Sequence, residues 1–103
     1  MSTPLSASQK KNLRTLGHEL KPLVQLGAKG LTESVMLEIE RALSDHELIK
    51  VRLAGQGPDD RKVLITKIEE ELAATAVQSI GHMVLLFRKN PDANPKLSNL
   101  KSF

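Results

Sequence analysis

Gln25-Leu26-Gly27-Ala28-Lys29-Gly30-Leu31-Thr32 carries the chain from an apolar run, through a loop bracketed by two glycines, into an amphipathic helix. Strand, tight loop and helix in that order open a strand–helix–strand unit, and such units imply an α/β protein. Pro22 favours an extended start for the strand, which is expected to run to about Leu26. Thr32 suits the N-cap of the helix and Glu33 its first turn. Val35, Ile39, Ala42, Leu43 and His46 then fall on one face, with His46 at the helix end near the C-terminal dipole.

Downstream, Leu48-Ile49-Lys50-Val51-Arg52-Leu53 alternates. Ile49, Val51 and Leu53 face one way and Lys50 and Arg52 the other, which predicts a strand with a wet, positively charged face. Gly55-Gln56-Gly57-Pro58 marks a turn, and Asp59 or Asp60 can cap a third helix whose buried stripe is Leu64, Ile65, Ile68 and Leu72. Val77 to Ile80 and Met83 to Phe87 read as strands joined by Gly81-His82, with glycine where a type II′ hairpin needs it. The nearly unbroken apolarity of Met83–Phe87 implies cover on both faces. Upstream, Ser6-Ala7-Ser8-Gln9 fits a capping box. The helix it opens has Leu13, Leu16 and Leu20 at helical spacing and Lys10, Lys11 and Arg14 mainly on the exposed side, and Gly17 weakens its end.

The order α-β-α-β-α-β-β predicts a small four-stranded mixed sheet with three helices. Each crossover favours parallel neighbouring strands; helices two and three share one face and helix one covers part of the other. Residues 1–88 form a single domain. Residues 89–103, rich in Pro, Asn and Lys, read as a flexible basic tail.

Among 103 residues, 40% are apolar, as in a globular domain with a modest core. Fifteen Lys and Arg against twelve Asp and Glu leave a net charge of +3, and its distribution says more than its size. Residues 1–30 hold five basic groups and one acidic; residues 31–47 hold one basic and five acidic. Such a field can orient a polyanion. The chain has no cysteine, and no apolar run approaches the roughly 20 residues that span a bilayer, so a cytoplasmic monomer away from membranes is expected. Phe87 and Phe103 are the only aromatics, which argues against nucleic-acid recognition on an aromatic stacking platform.

Unpaired amides at a helix start can receive a phosphate, glycines allow close approach, and Lys29 adds a full charge. The plainer reading is a turn that needs permissive dihedrals, and a lone GxxG does not separate the two. An internal comparison favours the first: the other strand-to-helix junction also has two glycines, but Asp59 and Asp60 follow and would repel a phosphate. Gly27-Ala28-Lys29-Gly30 matches neither GxxxxGK[ST] nor GxGxxG, so bound ATP or NAD is not expected. His18, His46 and His82 lie in separate elements without metal-ligand spacing, and Glu69-Glu70-Glu71 reads as a solvated charge run. No nucleophile has a recognisable base, so the chain reads as a binding protein, not an enzyme, with no cofactor. Lys10, Lys11, Arg14, Lys50 and Arg52 singly are ordinary surface charges; they matter if folding sets them beside the loop.

Leu13 to Pro22 (LRTLGHELKP), Leu26 to Glu33 (LGAKGLTE) and Glu38 to Val51 (EIERALSDHELIKV) together resemble the bacterial YhbY-type proteins, which are stand-alone CRM (chloroplast RNA splicing and ribosome maturation) domains. A weaker block is Val77-Gln78-Ser79-Ile80-Gly81, and the likeness spans roughly residues 5–88. It implies a fold similar to the C-terminal domain of initiation factor three. It also implies RNA binding through the GxxG loop, here Gly27, Ala28, Lys29 and Gly30, and association with rRNA in precursors of the large ribosomal subunit. The family often has a small polar residue before the second glycine; Lys29 departs from that and should strengthen phosphate attraction. Lys10, Lys11, Arg14, Lys50 and Arg52 would extend the RNA contact. A competing reading makes the acidic second helix, with Glu33, Glu38, Glu40 and Asp45, a dock for basic ribosomal proteins.

Overall fold

A computed structural model describes residues 5–27, 29–94 and 96–100. Its elements are α1 (Ala7–His18), β1 (Val24–Gln25), α2 (Glu33–His46), β2 (Leu48–Arg52), α3 (Pro58–Leu72), β3 (Thr75–Ile80) and β4 (Met83–Phe87). The capping box forms as the sequence implies: Ser6 Oγ accepts from the Gln9 amide at 3.1 Å, and Gln9 Oε1 accepts from the Ser6 amide at 2.9 Å. Thr32 Oγ1 caps α2 by accepting from the Val35 amide at 3.2 Å. The start of α3 differs from expectation. Gly57 occupies the N-cap position without a side-chain bond, Pro58 begins the helix, and Asp59 and Asp60 fall in its first turn. Proline's fixed φ and missing N–H suit that first position, so no carboxylate cap is needed.

The sheet order is β1-β2-β4-β3, with β1 and β2 parallel and the other pairs antiparallel. The first crossover joins parallel neighbours as expected. The second does not: β2 and β3 point the same way, but β4 lies between them. A two-residue turn makes β4 antiparallel to β3, and the most apolar strand takes the position where both faces are buried. Gly81 has φ 55° while His82 has no positive φ, the combination a type II′ turn requires. β1 is shorter than expected, although the Leu23 and Leu26 amides donate to the Lys50 and Arg52 carbonyls at 3.0 and 2.9 Å and extend the pairing.

Val84 and Leu86 join Ile49, Val51, Leu53, Ile39, Leu43 and Ile68 in the core beneath α2 and α3. Leu85 and Phe87 turn the other way and pack with Leu13, Leu48 and Val77 under α1. The sheet is therefore covered on both faces. Gly17, next to the last residue of α1, also belongs to this packing. A Cβ there would sit 2.3 Å from Leu85 Cδ1, so only glycine lets α1 approach β4 this closely.

Residues 89–94 and 96–100, which composition alone makes a loose tail, run back to the α2–β2 junction. Glu47 there is buried at φ 62°, and its carboxylate accepts from the Asn90 amide at 2.6 Å and from Ser98 Oγ at 3.0 Å. Asn99 donates through its side chain to the Leu48 carbonyl and through its amide to that of His46. His46 Nδ1 in turn lies 2.6 Å from the Leu97 carbonyl oxygen. No helix among the described residues is long and apolar enough to cross a membrane.

Candidate nucleic-acid interface

Because β1 and β2 are parallel and β4 is antiparallel, the 26–31 loop, the 53–57 loop and the Gly81-His82 turn emerge at one end of the sheet. Leu26 is buried and anchors the first loop. Gly27 and Lys29 are exposed; Ala28 lies outside the described residues. Gly30 has φ 72°, a conformation that strains any other L-residue, and its amide donates to the Gly27 carbonyl at 3.0 Å. That amide closes the loop on itself and is committed within the fold. At the start of α2 Thr32 takes the Val35 amide, and Glu33 stands exposed in the first turn.

The second glycine junction lies beside the first. Gln56 Nε2 is 3.9 Å from where a Cβ on Gly30 would sit. Arg61 braces this end, donating to the Gln56 carbonyl at 2.8 Å and lying 3.4 Å from His82 Nδ1. The Leu53 amide donates to the His82 carbonyl and completes the frame. Arg61, Gln56 and His82 form this brace unforeseen from the sequence, because three separated segments meet in it.

Arg52 adjoins the loop. It ends β2, stands opposite Gln25 on β1 and Met83 on β4, and is exposed. Lys50 is two residues back on the same face and half-buried, beside Gly17 and His18 of α1. The charged strand face is thus wet only toward the loop, since its far end, Leu48, is buried in the core beneath α1. Arg14 is half-buried one turn before His18, while Lys10 and Lys11 are exposed farther back along α1. All five cations therefore lie on the α1 side of the sheet, with Lys50 and Arg52 closest to the loop. His18, four residues after Arg14, continues the same stripe, and that spacing was the available signal for it.

The acidic helix lies on the opposite side. Glu33 and Glu38 are exposed, but Glu40 is ion-paired with Arg88, whose guanidinium also donates to the Leu72 carbonyl and Ser44 Oγ. Asp45 is half-buried. One of the four carboxylates that a basic protein would need is thus engaged within the fold. Among the described residues no group of three His, Asp or Glu side chains could hold a metal ion.

The chain is 48% identical over 99 residues to "Probable RNA-binding protein PA4753" of Pseudomonas aeruginosa, covering 96% of this chain and 95% of that one. It is 46% identical over 95 residues to an "RNA-binding protein" of Haemophilus influenzae, covering 92% of this chain and 96% of its relative. The fold matches the solution structure of a Staphylococcus aureus protein with a TM-score of 0.76 at 33% identity, over 88% of this chain and 95% of the other. The CRS1 / YhbY (CRM) domain model matches residues 5–88, from the segment before the capping box through β4, and the chain belongs to that family.

Proposed function

We propose that this protein binds RNA, holding the sugar–phosphate backbone at the Gly27, Ala28, Lys29, Gly30 loop with Lys50 and Arg52 beside it and Arg14, Lys10 and Lys11 extending the contact. The observation that carries the reading is exposed Lys29 in a glycine loop that leaves β1 at the end of the sheet where exposed Arg52 closes β2. The names of two close relatives support the ligand class. CRM domains are non-catalytic, so the role is one of binding. Phosphate contacts position a protein without reading sequence, and with so few aromatics recognition rests mainly on RNA shape.

The partner we propose is rRNA in precursors of the large ribosomal subunit, met in the cytoplasm by a monomer acting as an assembly factor. Crosslinking in cells followed by sequencing of the attached RNA tests it. Adducts concentrated in precursor rRNA of the large subunit are expected. Adducts spread over messenger RNA, or protein adducts along α2 in their place, would refute that assignment.

A further inference from the structure

On the α1 side of the sheet, the cross-strand row nearest the middle is Gln78, Leu85 and Lys50, and the next row toward the loops is Ile80, Met83 and Arg52. This arrangement depends on a bulge. Val77 is buried under α1, so strict alternation would send Gln78 and Ile80 to the opposite face. The register shift between Ala76 and Gln78 puts Gln78 opposite Leu85 and Ile80 opposite Met83 and re-aims both. The Gly17–His18 turn of α1 walls the patch, leaving an open groove of about 260 Å³. That is below the roughly 300 Å³ at which pockets for drug-sized ligands begin, and suits one planar ring system.

The geometry points to this groove as the seat of a single unpaired RNA base, stacked on the aliphatic surface of Met83 and Ile80 with flanking phosphates on Lys50 and Arg52. The Gln78 amide, with donors and an acceptor at one tip, faces the base edge. The inference rests on the RNA reading and adds to it a preference for unpaired nucleotides. Apolar floor and cationic rim together match an unpaired nucleotide, which exposes a ring face beside a phosphate; a duplex hides its ring faces in the stack. Ile80 is 59% exposed, a large apolar side chain left open on the edge strand, across β4 from these cations. An apolar peptide would leave Lys50 and Arg52 facing no anion.

The test uses the full chain and three RNAs: a stem–loop with an unpaired loop, the same stem as a blunt duplex, and the stem–loop with abasic loop nucleotides. Methyl NMR signals of Met83 and Ile80 should show ring-current shifts with the first RNA only. Ile80→Ser should weaken stem–loop binding about fivefold, the low end for base stacking since no aromatic ring is present, and leave duplex binding unchanged. Lys29→Asp should weaken both. Methyl shifts that persist with abasic RNA, or unchanged stem–loop affinity in Ile80→Ser, overturn the groove assignment while the loop reading stands on Lys29→Asp. Failure of the unaltered protein to bind any of the three RNAs overturns both.

Discussion

Gly17, Gly27 and Gly30 are the same residue type in three different roles. Gly30 supplies a positive φ, Gly27 an exposed position bridged to Gly30, and Gly17 a place where a helix touches a strand. Sequence alone separates the first two from the third only through their loop context, because close approach of α1 to Leu85 is a tertiary fact. Gly17→Val should therefore destabilise the fold by about 2 kcal/mol through overpacking, read as a lower Tm, and shortening Leu85 to Ala should recover part of the loss. Glu47 was equally silent in the sequence. Its buried carboxylate holds Asn90 and Ser98, residues some forty to fifty positions away. Glu47→Ala should cost about 2 kcal/mol in denaturant unfolding, since two donors lose a charged acceptor.

Helix starts and the hairpin were readable because their determinants are local. Ser6 with Gln9, Thr32 before α2, and Gly81 in the turn each act within a few residues. Thr32→Ala should remove a side-chain cap worth about 1 kcal/mol, measurable by thermal unfolding, and loosen the helix that backs the GxxG loop. At α3 two local signals compete: Asp59 and Asp60 are good capping residues, but Pro58 fixes the first helical position ahead of them. The apolar–polar–polar–apolar order of Val77-Gln78-Ser79-Ile80 breaks strict alternation without locating a bulge, and only the pairing with β4 shows that Val77 and Gln78 share a side.

Taken whole, the molecule is a sheet with two chemically different sides. Lys10, Lys11, Arg14, Lys50 and Arg52 lie on the α1 side, while α2 and α3 bring Glu33, Glu38, Asp59 and Asp60 to the other. The sequence disclosed the α/β class, the element order and the double cover of β4. It could not place β4 between β2 and β3, because that choice depends on competition among strands for the buried position. Nor could it show that Lys50 and Arg52 end beside the loop while Lys10 and Lys11 lie back along α1. Single alanine changes at Lys10 or Lys11 should accordingly weaken RNA binding less than Arg52→Ala, in titrations at one fixed salt concentration. Each neutralised phosphate should contribute about −0.7 to the slope of log affinity against log salt for a single strand.

The most direct measurement is RNA affinity across a salt series for the unaltered protein and for the Ala28→Asp, Lys29→Asp double variant, with Tm recorded for both. The exposed loop predicts at least an approximately tenfold loss at physiological salt, about 1.4 kcal/mol, with a shallower salt slope and an unchanged Tm. Equal affinity and equal slope in a folded variant would contradict the account.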